Sequence, residues 1–64
     1  MRLAEWLKQE AMTQREFAEV LGVTQGRISQ ILAGDVPSPY LALDIERATR
    51  GEVTIYELFP ENAA

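Results

Sequence analysis

The strongest constraint on this 64-residue chain is the segment from Thr13 to Gly34, which carries the signals for two short helices joined by a tight turn. Thr13 and Glu16 form a capping box, so a helix should begin there. Gly22 can adopt the left-handed backbone conformation that ends a helix at little cost. Thr24 then provides the next cap. Helices connected this closely cross steeply, which leaves the outer side of the second one facing solvent.

Apolar residues support both helix starts. Met12 with Phe17, and Val23 with Ile28, have the spacing of hydrophobic staples. Ala18 is small at the position where the two helices should touch, so their backbones can approach closely. These signals together predict a helix-turn-helix unit over residues 13–34.

The second predicted helix has two different sides. At about 100° per residue, Ile28, Ile31 and Leu32 fall on the side that we expect to face the core. The other side carries short groups and amides, where a solvated face of an acidic domain would carry Glu and Lys. Gln can pair with an adenine edge in the major groove, and Arg with guanine or a phosphate; a polar surface with no partner is the alternative. The outward residues are Gly26, Ser29, Gln30 and Ala33, with Gln25 and Arg27 on the flanks.

Residues Thr13 to Gly34 resemble the helix-turn-helix of the phage Cro and repressor (XRE-type) family. The later segment IERATRGEVTIYEL, Ile45–Leu58, is similar to the tail of the YdaS/Cro-type subgroup, and the two segments cover over half of the chain. Many relatives carry basic residues after the recognition helix, whereas this chain has Asp35 followed by Val-Pro-Ser-Pro. The matching features in the first segment are Gln14, Ala18, Gly22, the pair Ile28 and Ile31, and T-Q-x-x-x-S-Q across Thr24–Gln30.

The resemblance implies a sequence-specific DNA-binding transcriptional regulator of phage or bacterial origin, a Cro-type repressor. Its helix 25–33 would read a half-site of double-stranded operator DNA, with Gln14 near a phosphate. One domain covers only a half-site, so we expect a homodimer, at least on DNA. The candidate DNA-binding residues are Gln14, Arg15, Thr24, Gln25, Gly26, Arg27, Ser29 and Gln30.

The apolar C-terminal residues allow a function of another class. Tyr56, Leu58 and Phe59, with the acidic residues around them, could form the contact surface of a helical protein-interaction module, such as an antitoxin-like partner that does not read DNA. Tyr56 and Phe59, three residues apart on a helix, are also the candidates for a two-fold dimer contact. The alternative for both is that they cover the underside of the core.

The net charge of −4 is unevenly distributed. Residues 1–34 contain four basic and four acidic side chains, whereas residues 35–64 contain two basic and six acidic ones. The excess negative charge therefore lies outside the predicted reading unit. DNA binding is allowed, but long-range electrostatic steering should be weak.

Helical signals also flank the central unit. Leu3, Trp6, Leu7 and Ala11 recur at helical spacing and predict a first helix over residues 2–11, with Trp6 in the core. Ser38 can cap a helix from Pro39 to about Arg50 that ends at Gly51 and buries Leu41, Ile45 and Ala48.

A second capping box, Thr54 with Glu57, predicts a short last helix from about Ile55 that Pro60 limits. An edge strand over Val53–Tyr56 is the alternative. The fold class we expect is all-α: a compact, lambda-repressor-like five-helix domain over residues 1–64, with the central helix-turn-helix unit and C-terminal helices over residues 39–60.

Several activities are excluded by composition. The chain has no histidine and no cysteine, so a histidine triad, a disulfide and a histidine or thiolate metal site cannot form within it. Its glycines form no phosphate-binding loop, and its apolar runs are too short to span a membrane. We therefore expect no enzymatic activity, no cofactor, no metal and no membrane partner, in a cytoplasmic, nucleoid-associated protein.

Overall fold

The computed structural model describes residues 1–59 and holds five helices and no strand in that range. The Cα radius of gyration is 10.7 Å, close to the value of about 11 Å expected for a folded chain of this length. The all-α, five-helix prediction is confirmed, whereas Pro60 and the tail after it lie outside the described residues. The helices are α1 (Leu3–Gln9), α2 (Gln14–Leu21), α3 (Gln25–Leu32), α4 (Pro39–Ala48) and α5 (Ile55–Leu58).

The helix starts follow the predicted caps. The Thr13 hydroxyl accepts the Glu16 N–H at 3.0 Å, and the Glu16 carboxylate accepts the Thr13 N–H at 2.8 Å. Thr24 and Ser38 each accept the N–H three residues ahead, at 3.1 and 3.2 Å. These bonds satisfy amide groups that have no partner within the helix, and they fix where α2, α3 and α4 begin.

One hydrophobic core joins all the larger helices. Trp6 of α1 packs on Phe17 of α2 with ring centroids 5.5 Å apart, so the prediction that Trp6 belongs to the core is confirmed. Leu32, Leu41 and Leu58 are only partly buried and pack around this centre. The buried hydrophobic residues are Leu3, Trp6, Leu7, Phe17, Ala18, Ile28, Ile31, Ala42, Ile45 and Val53.

The first helix is shorter than predicted. It ends at Gln9 because Ala11 adopts a left-handed conformation, with φ of 54°, and is exposed. The Ala11 N–H donates to the Lys8 carbonyl at 3.1 Å, and the Met12 N–H donates to the Leu7 carbonyl at 2.9 Å. This pair of bonds is a Schellman motif, which usually places glycine at the left-handed position. An alanine there gives no sequence signal, so the prediction of a helix to residue 11 is wrong.

The fourth helix also ends early and buries a different face. It stops at Ala48, and both Arg50 and Gly51 have positive φ, 58° and 80°. Ala42 is fully buried, whereas Leu41 and Ala48 are only half-buried, which corrects their predicted place in the core. Leu41 and Ala48 have helical spacing from Ile45, and so do Ala42 and Thr49. Because Thr49 is polar, the sequence favoured the side with Leu41 and Ala48 as the buried one.

Thr49 connects the end of α4 to the start of α5. It is almost completely buried; its hydroxyl donates to the Ile45 carbonyl at 2.9 Å and accepts the Val53 N–H at 3.1 Å. The Glu46 carboxylate accepts the Ile55 N–H at 2.9 Å, at the first residue of α5. Because α5 begins at Ile55, the alternative of a strand over residues 53–56 is wrong.

Candidate nucleic-acid interface

The turn between α2 and α3 places the two helices against each other. Gly22 has φ of +74°, and its N–H donates to the Glu19 carbonyl at 3.2 Å. The Val23 N–H reaches back to the Ala18 carbonyl at 3.0 Å, which completes a Schellman motif at the end of α2. Ala18 itself is buried, as expected for the contact position. The third helix therefore follows α2 through a short, hydrogen-bonded turn and packs directly on it.

The two sides of α3 differ as the periodicity predicted. Ile28 is fully buried and Ile31 nearly so. A Cβ added to Gly26 would meet only the Thr24 side-chain oxygen, at 4.0 Å, so the surface there is open. The exposed residues of this surface, which we call the α3 outer face, are Thr24, Gln25, Gly26, Ser29 and Gln30.

Gln14 and Ser29 are brought together across the two helices. The Ser29 hydroxyl donates to the Oε1 atom of Gln14, and Gln14 is half-buried at the start of α2. This bond occupies the amide oxygen of Gln14 and leaves its Nε2 group as a hydrogen-bond donor. The start of α2 and the middle of α3 therefore present one continuous polar surface.

Arg27 contacts its own chain. Its Nη1 atom donates to the Asp35 carboxylate at 2.8 Å and to the Gln30 Oε1 atom at 3.4 Å. Its Nη2 atom donates to the Val36 carbonyl, also at 3.4 Å. The structure thus joins Arg27 with Gln30 and with the loop after α3.

Asp35 and Val36 were not among the predicted site residues. They follow the end of α3, so the helical spacing used for α3 gave no sign of their contact with Arg27. The opposite charge of Asp35, a short distance along the chain from Arg27, was the available signal.

The remaining predicted residues lie apart from this cluster. Arg15 on α2 is 79% exposed and lies 4.0 Å from Glu19, also exposed, an arrangement that contributes little to stability. Tyr56 on α5 is 82% exposed, and Phe59, just after α5, is half-buried. Phe59 has an extended backbone, so the prediction that these two residues lie on one helix is wrong. Both aromatic residues belong to the C-terminal part of the chain and not to the helix-turn-helix unit.

Within residues 1–59, no group of three or more acidic, histidine or cysteine side chains is arranged to hold a metal ion. None of the helices described there has the length and apolar character needed to cross a membrane.

A protein-family model described as helix-turn-helix matches residues 3–56. The match begins at the first residue of α1 and continues into α5, so it includes the whole α2–turn–α3 unit and most of the chain. Searches of curated proteins and of solved structures gave no significant match.

Proposed function

The chain belongs to the helix-turn-helix family of DNA-binding regulators, and from that premise we propose that it is a Cro-type repressor that reads a DNA half-site with α3. In this proposal α3 enters the major groove, Gln25 and Gln30 contact base edges, and two copies of the chain bind a two-fold symmetric operator. The similarity of residues 45–58 to the YdaS/Cro-type subgroup supports the choice of this subgroup.

The observation that carries the proposal is the α3 outer face. It projects Gln25 and Gln30 into solvent beside Gly26, which has no side chain to hinder a close approach. Glutamine amides both donate and accept hydrogen bonds, which suits them to base edges. The opposite side, Ile28 and Ile31, is buried in the core, so the helix cannot rotate without loss of packing.

Phosphate contacts would come largely from neutral donors. The first turns of α2 and α3, capped by Thr13 and Thr24, carry backbone N–H groups suited to phosphate oxygens. The Nε2 group of Gln14 adds a further donor beside α3. Such contacts displace few counterions. With about two to three charged contacts per half-site besides them, log affinity should fall with log salt with a slope of about −2 to −3 per bound subunit. A slope of about −6 or steeper would mean that a stronger cationic surface binds the DNA elsewhere.

The dimer contact is proposed at α5 and at Phe59, the residue that follows it. Tyr56 is 82% exposed and lies outside the helix-turn-helix unit, so it is available to a second copy while α3 is on DNA. Phe59, half-buried, would complete the contact. Sedimentation of the protein and of the Tyr56→Ser and Phe59→Ala variants tests this. On dilution the variants should dissociate at a higher protein concentration than the unsubstituted chain, because their dimer is weaker, and a dimer that neither substitution weakens would place the interface elsewhere.

The function itself is tested by selection of bound duplexes from a random pool. We expect a palindromic consensus with half-sites about 34–36 Å apart, one helical turn, as two symmetric copies require. The matched control is Gln30→Ala, which should fold normally but select a weaker or altered consensus. No retention of any duplex, even at low salt, would contradict DNA recognition and favour a protein-interaction module.

A further inference from the structure

The loop that follows α3 contacts the Arg27 side chain and partly buries it. Only 29% of it is exposed, against 79% of the Arg15 side chain, and its closest contact is the Asp35 carboxylate at 2.8 Å. Val36 adds a backbone acceptor to the same guanidinium. Arg27 therefore occupies the reading helix but is bonded to acceptors of its own chain.

Arg27 is a large part of the positive charge near the α3 outer face. Residues 1–34 contain four basic side chains, of which Arg27 is the one within α3. Phosphate contacts by such cations supply most of the affinity that does not depend on sequence. A carboxylate and a phosphate bind a guanidinium through the same paired hydrogen bonds, so Asp35 and DNA compete for Arg27.

We propose that Asp35 is a specificity-determining residue: it holds the Arg27 guanidinium within the chain and so keeps sequence-independent DNA affinity low relative to affinity for the preferred site. The inference rests on the proposed function and concerns regulation of the same surface. Asp35 acts as a positioning residue, through Arg27, and makes no contact with DNA itself.

The first test uses Asp35→Asn, which keeps the shape of the side chain and removes its charge. The probe is a random-sequence duplex of about two helical turns, on which one additional phosphate contact changes the salt slope by about 0.9. We expect the variant to bind this duplex about three- to eightfold more tightly at roughly 0.1 M salt, with a slope steeper by about 0.9 per subunit. Affinity for the selected duplex should rise less, so the ratio of specific to random binding falls.

The matched control is Glu19→Gln. It removes the same charge from the helix-turn-helix unit, but Glu19 lies 4.0 Å from an arginine that is already exposed. We expect a change of less than about twofold and no change in slope. An effect as large as that of Asp35→Asn would overturn the inference, because loss of any negative charge would then explain both.

The decisive step repeats Asp35→Asn in an Arg27→Met background. The gain in random-duplex affinity and the steeper slope should disappear, because the guanidinium that Asp35 releases is absent. A gain that persists would show that Asp35 acts directly on DNA and would overturn the inference.

If the unsubstituted protein retains DNA but Asp35→Asn changes nothing, the inference alone fails. If neither protein retains any duplex, the proposed function fails with it.

Discussion

The helix-turn-helix unit, residues 13–34, and the C-terminal part, residues 35–59, are held together by different kinds of interaction. In the first, the Thr13 and Thr24 caps bond to backbone groups three residues away, and Gly22 makes the turn. In the second, the buried Thr49 hydroxyl and the Glu46 carboxylate connect α4 to α5, and the latter bond crosses nine residues. Local caps specify where the helices begin in both regions, at Thr13, Thr24 and Ser38. The connection of α4 to α5 also depends on a side-chain bond between two separate helices.

The regions also differ in charge. The helix-turn-helix unit lies in the half of the chain with balanced charge, and the C-terminal half carries the net charge of −4. A negative surface would repel DNA, and in the sequence the acidic excess lies outside the helix-turn-helix unit. Asp35 lies at the boundary between the two regions, where its carboxylate contacts Arg27 of α3.

The largest predicted effect tests whether the two regions share one core. Ile28 in α3 and Ile45 in α4 are both fully buried. Ile28→Ala and Ile45→Ala should each lower the free energy of unfolding by about 2–5 kcal/mol, because each leaves a cavity. Thermal melts should show one cooperative transition in each case. Two separate transitions, or loss of structure in only one region, would mean that the regions fold independently.

The next effect is specific to the C-terminal part. Thr49→Val keeps the shape of the side chain but removes the acceptor of the buried Val53 N–H, so stability should fall by about 1–3 kcal/mol. Thr49→Ser keeps the hydroxyl, and we expect it to lose less. Chemical denaturation measures the free energy of unfolding of the two variants and of the unsubstituted chain. Equal values for Thr49→Val and the unsubstituted chain would mean that this bond does not stabilise the C-terminal part.

Two substitutions at helix ends, Gly22→Ala after α2 and Ala11→Gly after α1, should change the free energy of unfolding in opposite directions. Gly22→Ala places a side chain at φ of +74° without a clash, since an added Cβ meets nothing within 4 Å, and should cost about 0.5–1 kcal/mol. Ala11→Gly relieves the same backbone strain at φ of 54° and should gain a similar amount. Melting temperatures that both rise or both fall would contradict this explanation of the helix ends.

These helix ends also show what the sequence could predict. The turn at Gly22 was predicted because glycine is the usual residue in a left-handed position, whereas Ala11 and Arg50 take that position without any such signal. The α3 outer face followed from periodicity alone. The contact of Arg27 with Asp35 and the bond from the Val53 N–H to Thr49 were not predicted, because they depend on where the chain travels after a helix ends.

A smaller effect depends on pH. The Met1 ammonium group, followed by the Thr54 backbone N–H, lowers the pKa of Glu57 below its ordinary value of about 4.5 and so links α5 to the start of the chain. A lowered pKa in the folded state means that this contact stabilises the protein above pH of about 4.5 and is lost as pH falls through the folded-state pKa. Glu57→Gln should therefore lower the melting temperature slightly near neutral pH, and the difference should close at pH of about 2. A difference that is unchanged by acid would exclude the carboxylate as its source.

The claim that the α3 outer face reads DNA is tested most directly by the affinity of Gln30→Ala for two duplexes, the selected site and a scrambled sequence of the same length. Gln30 is exposed, so the variant should melt at the same temperature as the unsubstituted protein. We expect it to lose about 1–3 kcal/mol of binding free energy on the selected site and much less on the scrambled one, because a base contact is lost. Equal losses on the two duplexes, or no loss on either, would contradict a reading role for α3.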